Sequence, residues 1–97
     1  MITHVVLFKL KEQSEEARER VKALLSSMEG RIGELRHLEV GTDIVRSERS
    51  YDLALITRFD SLEDLKSYQG HPYHVDEVLA HLKDACSAVV AVDYETP

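Results

Sequence analysis

The chain has 97 residues, with twelve Lys and Arg against eighteen Asp and Glu, a formal net charge of −6. That length fits a single domain spanning residues 1–97, in which one core is only modestly protective and association adds burial. The acidity and the scattered positive residues exclude a phosphate-backbone footprint, so no nucleic acid partner is expected. No apolar run approaches the roughly 18 residues of a membrane span, and MITHVVLFKLKEQ lacks the cationic head and cleavage site of a secretory signal. A cytoplasmic chain with no membrane partner is therefore expected. Cys86 is the single cysteine, which excludes an internal disulfide and reads as a packing residue among small apolar neighbours.

In chain order, ITHVVLFKL (residues 2–10) is β-branched and apolar over strand length, with His4, Val6, Phe8 and Leu10 on one face and Val5 and Leu7 on the other. From Ser14, a plausible N-cap followed by Glu15 and Glu16, the residues Ala17, Val21, Leu24, Leu25 and Met28 recur at helical spacing, and the helix should end near Gly30. HLEVGTDIV (37–45) alternates Leu38, Val40, Thr42 and Ile44 against polar positions, which predicts a strand with a bulge at Gly41. RSERS makes a turn, and YDLALITRF (51–59) alternates again. Ser61, with Asp64 three residues on, resembles a capping box, followed by Leu62, Leu65 and Tyr68 on one side.

Pro72 should break that helix, because its ring removes a backbone donor and biases His71 away from helical geometry. A second helical segment then carries Val75, Val78, Leu79 and Leu82 as its stripe, and SAVVAVDYE (87–95) closes the chain as a strand. The order βαββαβ predicts an α+β, ferredoxin-like sandwich with helices on one face of an antiparallel sheet. Apolar residues on both strand faces leave the bare face as an association patch, so the expected partner is a second copy, joined through the sheet faces as a homodimer.

The stretches THVVLFKLK, SYDLALITRFDSLEDLKSYQGHPYHV and VDYETP together resemble the stress-responsive dimeric α+β barrel (Dabb) family over nearly the whole chain. The resemblance implies a ferredoxin-like subunit and a dimer whose sheets form a barrel. A plant branch of that family, similar over the motif Y-x-x-H-P-x-H, is a polyketide cyclase that closes a linear chain by aldol condensation without a cofactor. By that resemblance Tyr68 and His74 are candidate catalytic residues, and His4, Val6, Phe8 and His71 are candidate contacts to a small, largely apolar molecule. No cofactor is expected.

The residue types suit the chemistry. A histidine titrating near neutrality can remove a proton next to a carbonyl, and a tyrosine hydroxyl can donate to the developing enolate oxygen. Blander readings stand beside these. Tyr68 is in register with Leu62 and Leu65 and reads equally as a core-edge aromatic. His4 on an apolar strand face reads as a satisfied buried histidine. His71 and His74 lie three apart, but no second ligand pair supports a metal site, and none is expected. The main functional expectation is a homodimer that binds a small apolar molecule, with cyclase, isomerase or lyase chemistry if it is an enzyme. The alternative is a non-catalytic stress-responsive or accessory protein acting through its dimer.

Overall fold

The alternation along β1, Ile2–Leu10, sets the layout of the whole chain. In the computed structural model, which describes Met1 to Pro97, β1 pairs antiparallel on one side with β3, Leu53–Phe59, and on the other with β4, Cys86–Glu95. Strand β2, His37–Thr42, pairs with the outer side of β3, so the sheet runs β2-β3-β1-β4. Helices α1, Glu15–Ser26, and α2, Leu62–Gly70, pack on one face of it. A π-helical segment, Tyr73–Leu79, runs directly into α3, Ala80–Ala85.

The core lies between sheet and helices. Val6, Phe8 and Leu10 of β1 and Leu53, Leu55 and Phe59 of β3 meet Ala17, Val21 and Leu25 of α1 and Leu65 and Tyr68 of α2, all buried. Helices α1 and α2 each start on a serine whose hydroxyl satisfies a free backbone N–H: Ser14 Oγ accepts from Ala17 at 3.1 Å and Ser61 Oγ from Asp64 at 3.1 Å. Ser14→Ala and Ser61→Ala should each lower stability by about 1 kcal/mol in urea denaturation, because alanine leaves that donor unpaired. A pair of changes with no effect would mean that the helix starts are held by packing alone.

Five expectations need correction. The predicted barrel is not formed: the four-stranded sheet is open, with β2 and β4 as free edges, where a closed barrel with a filled interior needs about eight strands. Strand β2 ends at Thr42 and not at Val45, because the chain turns there: Asp43 N–H donates to Asp52 O at 2.9 Å, and the Asp43 carboxylate accepts from Arg46 N–H at 2.7 Å. Ile44 and Val45 thus leave the sheet. No bulge occurs at Gly41, whose pairing with Ala54 keeps register; the one shift falls between Lys9 and Leu10 against β4.

Helix α1 stops at Ser26, and turns carry the chain to Gly30, whose φ of +79° suits a residue without a Cβ. After Pro72 the chain adopts π geometry before α3. That rotates the expected stripe, so Val78 and Leu82 are buried while Val75 and Leu79 are about 40% exposed.

Across the β2–β3 connection the buried Asp52 carboxylate acts as a clamp. It accepts from Leu10 N–H at 2.7 Å, Gln13 Nε2 at 2.9 Å and Arg46 Nη2 at 2.8 Å, which ties the end of β1, the approach to α1 and the turn after β2 to one point. Burial alone would raise this carboxyl's pKa. The three donors outweigh that and hold it below the usual carboxylate value.

Candidate functional site

Strand alternation and the Pro72 break together aim three rings at one place. His4 sits on the helix-facing side of β1, Tyr68 on the last turn of α2 and His74 on the first turn of the π-helical segment. The Tyr68 ring centroid lies 6.2 Å from His4, 4.5 Å from His74 and 4.9 Å from Phe59. The three rings border a cavity of about 310 Å³ between sheet and helices, whose apolar wall includes Val6, Phe8, Leu25, Met28, Leu55, Val78 and Leu82. That volume and a mainly apolar lining with a few convergent polar groups are what small-molecule pockets require.

Hydrogen bonds fix what each ring offers. His74 Nδ1 lies 3.1 Å from Gln69 O; a carbonyl only accepts, so Nδ1 carries the proton and Nε2 keeps its lone pair. The contact is made by the side chain across the Pro72 break, back to the last turn of α2. Burial lowers the His74 pKa, the Gln69 bond raises it somewhat, and the neighbouring His4 and His71 lower it further; the net shift is downward, so the ring is neutral at pH 7. His4 Nδ1 pairs with the Asp93 carboxylate on β4. The Tyr68 hydroxyl donates to Met28 Sδ at 3.6 Å, a weak acceptor that a ligand oxygen readily replaces. Burial pushes that hydroxyl well above its ordinary pKa, so it remains a donor.

His74 protonation opposes folding. Its folded pKa lies below the unfolded value of about 6.5, so its contribution is fully present above pH 6.5 and is lost as pH falls from there through the folded pKa. His74→Gln should therefore flatten the decline in melting temperature below pH 6.5. An unchanged acid limb in that variant would mean that His74 is not held neutral by the fold.

His4, Val6, Phe8, Tyr68 and His74 all border the cavity, whereas His71 does not. Its Nδ1 accepts from Tyr73 N–H at 3.1 Å across the Pro72 break. Leu62, expected beside Leu65 and Tyr68, is exposed at the start of α2. Asp93, the partner of His4, had no role in the sequence reading. Its signal was the alternation of VVAVD, which puts Asp93 on the same strand face as Val89 and Ala91, opposite His4 in the antiparallel register. No three His, Cys, Asp or Glu side chains gather closely enough to hold a metal ion, and no helix is long and apolar enough to cross a membrane.

The stress responsive A/B barrel domain model matches residues 2–96. The chain belongs to that family. Among curated relatives of this Dabb chain, a stress-response A/B barrel domain-containing protein of Arabidopsis thaliana is 30% identical over 97% of the chain, which spans only 36% of that relative's length. An uncharacterized protein of Streptomyces coelicolor is 35% identical over 98% of the chain and 99% of its own length. Among solved structures, a protein from Bacteroides fragilis described as dimeric, of unknown function and ferredoxin-like in fold, is 32% identical, with a TM-score of 0.83 over 98% of this chain and 95% of its own. Dabb membership and the ferredoxin-like sandwich stand together, with the sheet of the protomer left open.

Proposed function

We propose that this Dabb chain works as a homodimer joined through its bare sheet face, in a stress-responsive or accessory role that needs no chemistry, and that its cavity holds a small, mainly apolar molecule. The observation that carries the reading is the outer face of the sheet. Val90 and Val92 on β4 are about half exposed and lie in register with Leu7 and Val5 of β1, which in turn pair with Ala54 and Ile56 of β3, and Tyr94 adds a half-exposed ring at the end of the row. An apolar stripe of that extent, open to water, fits a surface normally covered by a partner, and the Bacteroides fragilis relative is described as dimeric.

The cavity supports ligand holding. A molecule with one carbonyl or hydroxyl oxygen would take the Tyr68 proton in place of Met28 and give its own donor, if it has one, to a histidine Nε2. The finer reading, cofactor-free proton transfer on a carbonyl compound like that of the plant polyketide cyclase branch, is favoured by one specific feature. A neutral His74 beside a protonated Tyr68 pairs a base with an enolate donor.

The binding test is calorimetric titration with butyrophenone, an aryl ketone of suitable size. Tyr68→Phe should weaken its binding about tenfold, the loss of one hydrogen bond, while the melting temperature stays within a degree or two. Equal affinity in the two proteins, or no binding to the parent chain, would sink the ligand reading and leave the dimer as the whole function.

A further inference from the structure

The most exposed large apolar side chains are not on the sheet face but at the tip of the β2–β3 connection, where Ile44 is 90% and Val45 74% exposed. That tip is held. Arg46 takes a left-handed φ of +57°, its N–H bonds the Asp43 carboxylate, and its guanidinium reaches Asp52 at 2.8 Å and Gln13 at 2.9 Å. Both ends of the turn are therefore pinned, and two aliphatic side chains are presented to water in a fixed position. A flexible loop could fold such residues back against the protein. This one cannot without breaking the Asp52 clamp.

A matching hollow exists elsewhere. Beyond Phe8, Leu79, Leu82 and Val89, which it shares with the ring-lined cavity, a second hollow of about 340 Å³ continues between α3 and β4 as far as Cys86. The ring-lined cavity and this hollow thus form one apolar groove, open along the edge strand β4. Pairing register places the groove mouth and the tip at the same end of the sheet: Thr42, Leu53, Phe8 and Val89 lie in one row across the four strands, and Ile44 follows just beyond Thr42. They are nevertheless at opposite edges, separated by three interstrand spacings of about 4.8 Å each, so a tip cannot reach its own groove. A second copy related by a twofold axis parallel to the strands brings each tip to the other's groove and closes the assembly at two subunits.

We propose that Ile44 and Val45 of one protomer seat in the groove between α3 and β4 of its partner and form the missing wall of the ligand cavity. This rests on the homodimer reading above and goes beyond it, because it makes each cavity incomplete without the other chain. The ligand that fits is then one wholly enclosed on dimerisation: a compact, uncharged molecule with its polar group at Tyr68 and its apolar end against the partner's tip.

The native cysteine supplies the test. Cys86 lines the groove and is only partly buried; burial raises its pKa, so the oxidation is run with diamide at pH 8.5. Ile44→Cys and Val45→Cys, which alter side chains free of the core, are each prepared with and without Cys86→Ser. A covalent dimer from at least one single variant, abolished by Cys86→Ser, is the expected result. No covalent dimer from either variant although light scattering reports dimers, or a covalent dimer that survives Cys86→Ser, overturns the placement of the tip. A parent chain that scatters as a monomer overturns the dimer itself, and the two failures are thereby told apart. As an independent readout, the double variant Ile44→Ser with Val45→Ser should raise the dimer dissociation constant at least tenfold; an unchanged constant also counts against the proposal.

Discussion

Asp52→Ala should lower stability by about 3 to 5 kcal/mol, the largest effect expected of any polar substitution in the chain. The carboxylate is 1% exposed and takes hydrogen bonds from Leu10, Gln13 and Arg46; its removal leaves a buried N–H without a partner and takes from the Arg46 guanidinium the nearer of its two carboxylates, Asp43 remaining. For a domain of this size the loss corresponds to a fall in melting temperature of roughly 15 to 30 °C. Asp52→Asn, which keeps the shape but not the charge, should cost less and change the acid limb. The Asp52 carboxyl has a folded pKa below its unfolded value near 4, so its contribution is present above pH 4 and is lost as pH falls through the folded pKa. The asparagine variant lacks that loss. Scanning calorimetry between pH 2 and 7 measures both effects, and a fall of under 5 °C in Asp52→Ala at pH 7 would mean that the clamp is not structural.

The same clamp marks where the sequence stopped being informative. The β-branched, apolar run of ITHVVLFKL and the alternation of YDLALITRF placed β1 and the body of β3, and grouped His4, Val6, Phe8 and Leu10 on one face, because a strand has only two sides. The two serine caps were likewise legible, since the hydroxyl and the N–H it satisfies are three residues apart. Local pattern failed where a distant group decided the outcome. Alternation in HLEVGTDIV runs on through Ile44, but Asp52 and Arg46 turn the chain after Thr42, and nothing within the strand reports that.

Pro72 gave the break and not the π geometry that follows it, where Tyr73 N–H donates to His71 Nδ1 and Tyr73 Oη to Ser27 Oγ at 2.8 Å, the latter across 46 residues of sequence. At the candidate site, Tyr68, His74 and His4 were legible as residue types in a motif, and Val6 and Phe8 as neighbours of His4 on one strand face. His71 lies apart from His74 although only three residues away, because nearness in sequence says nothing about direction around a break. Asp93 was missed because its partner lies 89 residues away.

Val92→Lys is expected to separate the proposed dimer while leaving the protomer folded. Val92 is 57% exposed on the outer face and pairs across the ladder with Val5, so a lysine there stands in water in the free protomer. In a dimer closed through that face, two ammonium groups, one from each chain, would have to be buried or splayed away from an apolar surface. A penalty of about 2 kcal/mol per copy multiplies the dissociation constant by about 10³. Analytical ultracentrifugation across nanomolar to micromolar concentrations reads that shift, and circular dichroism checks that the fold is retained. A variant that remains dimeric with an unchanged constant places the interface elsewhere.

The central claim, a dimer that encloses a small molecule in each protomer, is tested most directly by native mass spectrometry of the purified protein at micromolar concentration. The chain has a mass of 11.1 kDa. The account predicts a species at twice that mass which takes up one butyrophenone per protomer and loses it when the dimer is dissociated in the gas phase. A bare monomer, or a dimer whose mass never rises above that of two polypeptides at saturating ketone, would contradict it.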